Sequence, residues 1–120
     1  MVERTLRLLV VEDEMMVAML LEDMIRDSGW EVAGPAMNLA HALELARSAE
    51  IDGAVLDLNL GSDVSSLPIA AVLRERGIPF VFATGYGSGG DTNGFEDAPI
   101  VRKPFSSRQL IGTLRAQLLG

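Results

Sequence analysis

Short apolar runs alternate with longer stretches in which apolar residues recur every three or four positions, and the alternation spans the chain. Residues 6–11 form an apolar run of strand length. Residues 15–27 then place Met16, Val17, Leu20, Leu21, Met24 and Ile25 at helical spacing, with Gly29 as the C-terminal stop. Residues 30–34 read as a second strand. Residues 39–49 read as a second helix with Leu39, Ala42, Leu43 and Ala46 on one face and Asn38 as its N-cap. Strands are predicted at 51–58, 78–84 and 100–102. Helices are predicted at 65–76, where Pro68 falls in the tolerant first turn and Gly77 closes the helix, and at 106–119. The last helix has Ser106 as N-cap and Leu110, Ile111, Leu114 and Leu118 as its buried stripe.

Strands alternating with helices imply an α/β fold: a doubly wound, five-stranded parallel sheet covered on both faces. In such sheets ligands bind beyond the carboxyl ends of the strands, where the strand order reverses. One stretch breaks the pattern. Residues 85–99 contain Gly85, Gly87, Gly89, Gly90 and Gly94, and each glycine costs a helix roughly 1 kcal/mol. At most a short helical turn is expected near 92–97, and so long an irregular segment suggests a functional one.

Each apolar run ends in a polar residue, and these residues carry the candidate chemistry. Glu12 and Asp13 follow Leu8-Leu9-Val10-Val11, Asp57 follows Ala54-Val55-Leu56, Thr84 follows Phe80-Val81-Phe82-Ala83, and Lys103 follows Ile100-Val101-Arg102. Parallel strands would collect all of them at one edge of the sheet. Two carboxylates about 4 Å apart repel by about 4 kcal/mol at an effective dielectric of about 20, so the acidic cluster calls for an offsetting cation. Magnesium fits a site with few protein ligands and several retained waters. A carboxylate beside magnesium can attack a phosphoryl group, with Lys103 and Thr84 available for its other oxygens.

Composition narrows the setting. The chain has 120 residues, 48% of them hydrophobic, so a single domain over 1–120 can fill a core. It has no cysteine, which removes disulfides and thiolate metal sites. No apolar run approaches the roughly 20 residues of a membrane span, and the N-terminal residues do not resemble a signal peptide. A cytoplasmic protein without membrane contact is expected. The formal net charge of −7 argues against a nucleic acid ligand.

The set Glu12-Asp13, Asp57, Thr84 and Lys103-Pro104-Phe105, in that order, resembles the receiver domain of two-component response regulators along essentially the whole chain. The resemblance implies a flavodoxin-like fold with strand order 2-1-3-4-5. It implies Asp57 as phosphoacceptor and magnesium held by Asp13, Asp57 and the backbone carbonyl of Asn59, with Glu12 acting partly through water. Thr84 and Lys103 would hold the phosphoryl oxygens. The donor would be a sensor histidine kinase or histidine phosphotransfer protein. Output would pass through protein contacts or relay, from a monomer or weak dimer that catalyses only its own phosphorylation and dephosphorylation. The run Phe82-Ala83-Thr84-Gly85-Tyr86 resembles a Phe-Ala-Thr-Gly-Tyr subgroup of stand-alone receivers, found mainly in alphaproteobacteria, with an unusual fourth helix and links to stress signalling.

The sequence also departs from that pattern. Ile100 stands where most receivers have an aromatic switch residue, and Tyr86, with Thr84, is the candidate replacement. Gly61-Ser62 replaces the usual Pro-Gly turn after the acceptor strand. A competing reading is a metal-dependent phosphatase with an aspartyl-phosphate intermediate, although Asn59 occupies the place of that family's second aspartate. Gly85, Gly87 and Gly90 match a nucleotide-binding pattern in form only, since no helix is predicted after them. His41 reads as a surface residue.

Overall fold

Strand β1 (Arg7–Val11) is buried from its second residue onward, with Leu8 and Val10 in one core and Leu9 and Val11 in another. A strand apolar on both faces must be covered on both. The cover comes from α1 (Met15–Asp27), α2 (Leu39–Ser48), α3 (Leu67–Glu75) and α4 (Ser107–Leu118), interleaved with β2 (Glu31–Ala36), β3 (Gly53–Asp57), β4 (Phe80–Thr84) and β5 (Ile100–Arg102). The structure, a computed structural model, describes residues 5–61, 64–85, 92 and 94–119. All strands are parallel, in the order β2-β1-β3-β4-β5.

The period-two alternation of the strands sorts the core into two layers. Leu9, Val11, Ala54, Leu56, Phe80 and Phe82 pack against Ala42 and Ala46 of α2 and Ile69, Ala70 and Leu73 of α3. Leu8, Val10, Val55, Val81 and Ala83 pack against Leu21 and Ile25 of α1 and Leu110 and Leu114 of α4. Caps fix where the helices begin and end. Asn38 accepts a hydrogen bond from the His41 N–H, and Ser106 and Gln109 form a reciprocal capping box. Helices α1 and α3 both end on a left-handed glycine. The N–H groups of Gly29 and Trp30 bond to the carbonyls of Arg26 and Ile25, and those of Gly77 and Ile78 to Arg74 and Leu73. Arg76 bridges α3 to the end of α2 by donating to the carbonyls of Ala46 and Ala49.

Three sequence expectations are corrected. The second strand does not stop at Gly34 but continues through Pro35 to Ala36. It lies at the sheet edge, where a missing N–H is tolerated, and Gly34 (φ +94°) supplies an irregularity that shifts the β1–β2 register between Leu9 and Val11. Met16 and Leu20 are not core residues: with Met15 and Met19 they form an exposed apolar face of α1, Met16 being 83% exposed. On α4 only Leu110 and Leu114 are buried, while Ile111 and Leu118 pack at the margin. Among the described residues of 85–99 there is no helix. The expected turn is present, as bonds from the Phe95 N–H to the Thr92 carbonyl and from the Ala98 N–H to the Phe95 carbonyl.

Candidate functional site

Strand register decides which side chains meet. Val11 pairs with Leu56, Asp57 with Ala83, and Thr84 with Arg102, so β1, β3, β4 and β5 end at a common edge. Cross-bonds past the strand ends hold that edge together: the Leu58 N–H donates to the Ala83 carbonyl at 2.9 Å, and the Lys103 N–H to the Thr84 carbonyl at 2.8 Å. The edge sits where the chain order reverses around β1 and β3, the position at which doubly wound sheets bind ligands.

There the carboxylates of Glu12, Asp13 and Asp57 each offer an oxygen within 4.8 Å of the others. The Lys103 ammonium enters the cluster from β5, with Nζ 2.6 Å from Glu12 Oε1 and 3.5 Å from Asp57 Oδ2. Glu12 is fully buried, and its other oxygen accepts the Glu14 N–H at 3.1 Å. A buried carboxylate needs both a counter-charge and hydrogen bonds, and Glu12 has both. The Asn59 N–H makes a long 3.4 Å contact to Asp57 Oδ1. In front of these groups lies an open cavity of about 250 Å³, lined by Asp13, Glu14, Asp57, Asn59, Gly61, Gly85 and Lys103.

The electrostatics are unbalanced. Burial, then the neighbouring Glu12 carboxylate, push the Asp57 pKa up to about 7 from an ordinary 3.8, and Lys103 offsets only part of this. Burial pulls the Lys103 ammonium down, but its bond to Glu12 and the charges of Asp57 and Glu12 outweigh that, leaving it above its usual value. With all three acids ionised, one ammonium faces three carboxylates, and the residual charge is that of a divalent cation's complement. The donor set is all oxygen and partly open to water, which suits magnesium. Gly61 (φ +80°) keeps the approach clear, because a Cβ there would sit 3.1 Å from Asp13 Oδ2.

Glu12, Asp13, Asp57, Asn59 and Lys103, expected from sequence to share a site, are brought together. Thr84 is buried at the end of β4, and it is the next residue, Gly85, that forms part of the cavity wall. Ile100 is 46% exposed and lines no part of the cavity. Tyr86 and Ser62 lie outside the described residues. The sequence reading did not select Glu14, Gly61 or Gly85 as site residues. Glu14 was visible as the third acid in a row after β1. The two glycines carry no functional group, and only backbone geometry marks them.

A family model described as the response regulator receiver domain matches residues 8–115. The chain is 30% identical over 112 residues to the transcriptional regulatory protein PdtaR of Mycobacterium tuberculosis, covering 88% of this chain and 53% of that protein. It thus spans about half the length of the curated relatives it matches. Among solved structures, SdrG from Sphingomonas melonis Fr1 superposes with a TM-score of 0.86 at 38% identity, over 99% of this chain and 100% of that one. The receiver domain of sensor histidine kinase PA1611 from Pseudomonas aeruginosa PAO1, which holds a magnesium ion in its active-site cleft, superposes with a TM-score of 0.82 at 21% identity, over 98% and 100% of the two chains. That likeness bears on the fold alone.

Proposed function

The chain belongs to the response regulator receiver domain family, and on that premise we propose that it is a phosphorylation-controlled switch with Asp57 as the acceptor. Receiver domains take their phosphoryl group from histidine kinases or phosphotransfer proteins. The observation that carries this reading is the position of Lys103 Nζ between Glu12 and Asp57, within a cluster of three carboxylates at the sheet's switch point.

Asp57 is the strand-end carboxylate that both lines the cavity and lies near the ammonium. An Asp57 oxygen attacks phosphorus, the bond from phosphorus to the donor's imidazole nitrogen breaks, and the neutral donor leaves with its electron pair. Lys103 neutralises the oxygens of the transferring group, and Thr84 supplies a hydroxyl at the neighbouring strand end. Glu12 holds Lys103 in reach of Asp57. Asp13, Asp57 and the Asn59 carbonyl, with Glu12 behind them, would hold magnesium. When bound, the ion favours the ionised form of Asp57 and neutralises charge developing on the transferred oxygens.

The phosphoryl group then biases the chain toward whichever arrangement it contacts better. Output goes to a protein partner or onward in a relay, and the net charge of −7 disfavours nucleic acid. The chain turns over no other substrate and acts in the cytoplasm, where kinase phosphohistidine is formed. Incubation with acetyl phosphate or a phosphohistidine protein in magnesium is expected to label the wild-type chain, and Asp57→Asn to abolish the label. Undiminished labelling of that variant would move the acceptor elsewhere.

A further inference from the structure

Two adjacent serines at the start of α3 do different things. A hydroxyl at this place ordinarily caps the helix, and Ser65 does so: its Oγ accepts the Leu67 N–H at 3.0 Å. Ser66 occupies the N-cap position, yet its side chain makes no cap bond. It is fully buried, and its hydroxyl turns back eight residues to donate to the Leu58 carbonyl at 3.2 Å. The Ser66 N–H donates to the same carbonyl, also at 3.2 Å. Any buried hydroxyl has to find an acceptor. What marks this one is the acceptor it takes, one residue beyond Asp57.

Leu58 is tied on every side. Its side chain is buried in the core, its N–H is bonded to the Ala83 carbonyl at 2.9 Å, and Ser66 holds its carbonyl. A peptide group is planar, and in the trans form its C=O and N–H point opposite ways. The Leu58 carbonyl aimed at Ser66 therefore aims the Asn59 N–H away from Ser66, and that N–H makes the 3.4 Å contact to Asp57 Oδ1. Asn59 and Ser65 then form an antiparallel bridge. Its bonds run from the Ser66 N–H to the Leu58 carbonyl and from the Leu60 N–H to the Val64 carbonyl at 2.7 Å. Both use backbone groups of the flanking residues, so the bridge does not consume the Asn59 carbonyl, and Asn59 lines the cavity at Asp57.

We propose that Ser66 is a positioning residue for the acceptor site: by clasping the Leu58 carbonyl, its hydroxyl fixes the backbone that presents the Asn59 N–H to Asp57 and the Asn59 carbonyl to magnesium. The magnesium half of the statement rests on the metal reading above, and the clasp does not. Removing a group that orients a metal ligand typically weakens metal binding by about 10- to 100-fold. The lower end applies here, because the Ser66 N–H still holds the Leu58 carbonyl when the hydroxyl is gone.

Amide exchange in chelator and magnesium titration, both on the full chain, test the two halves with Ser65→Ala as the contrast. In chelator, Ser66→Ala should lose protection at the Leu60 and Ser66 amides, while Leu73 and the strand β1 keep theirs. Magnesium should bind Ser66→Ala about tenfold more weakly than wild type. Ser65→Ala removes the cap of α3, so it should lower the denaturation midpoint and yet bind magnesium as wild type does. A residue that merely stabilised the loop would not separate affinity from stability in this way. Ser66→Cys, similar in size but a weaker donor, should fall between the two and serves if Ser66→Ala does not fold. Unaltered exchange at Leu60 and Ser66 overturns the clasp. Equal magnesium affinity in Ser66→Ala and wild type, or equal weakening in Ser65→Ala, overturns its role toward the metal. Failure of the wild type to bind magnesium counts instead against the metal reading, and the exchange in chelator still decides the clasp.

Discussion

Replacing Asp57 by asparagine should make the metal-free protein more stable at neutral pH, although the same change abolishes its proposed activity. Asp57 has a pKa of about 7 in the fold against an ordinary 3.8, the causes being burial first and then Glu12. A carboxyl that holds its proton more tightly when folded adds nothing to the pH dependence below its unfolded pKa. Stability then falls as pH rises between the two values and levels off above the folded one. At 1.36 kcal/mol per pKa unit, the interval between 3.8 and about 7 corresponds to a ceiling of about 4 kcal/mol. Asparagine has nearly the same shape and no proton to lose, so it escapes this penalty. Lys103 does not obscure the window: its raised pKa stabilises the fold at lower pH and is lost only in the alkaline range.

The assay is chemical denaturation of wild type and Asp57→Asn in chelator from about pH 4 to pH 8, taking the difference so that carboxylates outside the cluster cancel. The two should be of similar stability at the acid end, with the variant gaining progressively to about 2–4 kcal/mol at the top of the range. In thermal melts the gain is on the order of 10 °C. Millimolar magnesium should raise the wild-type melting temperature and close most of the gap, since the ion binds the folded cluster and not the unfolded chain. A difference that does not vary with pH, or a variant less stable than wild type at pH 8, would refute the electrostatic reasoning. No response to magnesium would remove the metal assignment.

Glu12→Gln should lower the Asp57 pKa, because it removes neighbouring charge and frees Lys103 to close on Asp57; carboxyl NMR titration reads this directly, and an Asp57 pKa still near 7 would contradict it. Gly61→Ala should cost about 1–2 kcal/mol for its left-handed backbone and weaken magnesium binding by crowding Asp13, seen by metal titration alongside denaturation. Gly34→Ala should be the worse of the two glycine changes, at about 2–4 kcal/mol, because the new Cβ would meet the Ala36 nitrogen at 2.6 Å and the Val10 carbonyl at 3.2 Å, and denaturation midpoints should order the two variants accordingly.

Local signals carried most of the fold into the sequence. Leu8 to Val11, Gly29, Asn38, Gly77 and Ser106 each announce a strand, a stop or a cap through contacts made within a few residues, and each does in the structure what its chemistry suggests. The misreadings share a cause. Whether Met16 and Leu20 are covered depends on what other elements place beside α1, and periodicity gives the phase of an apolar stripe but not its width. Whether Gly34-Pro35 ends a strand depends on whether that strand is at an edge. The two hydrogen bonds from the Arg74 guanidinium to the Asp97 carboxylate join residues 23 apart in sequence, and no local pattern encodes them.

The same division runs through the site. Residue type at a strand end was enough to nominate Glu12, Asp13, Asp57 and Lys103, since parallel strands of similar length must bring their ends to one edge. Residue type could not say how the charges would be apportioned. Lys103 is closer to Glu12 than to Asp57, and that difference has a chemical consequence. An ammonium paired first with the nucleophile would hold Asp57 ionised but also compete with an arriving phosphoryl group for the same oxygen. Anchored instead on a fully buried glutamate, the lysine stays, in the proposed transfer, where the phosphoryl oxygens would need it while Asp57 keeps the lone pair for attack. The cost is a carboxyl that resists ionising until a cation arrives. On the proposed reading, an acceptor that is poor without metal and competent with it follows from placing the lysine's nearer partner behind Asp57 rather than on it.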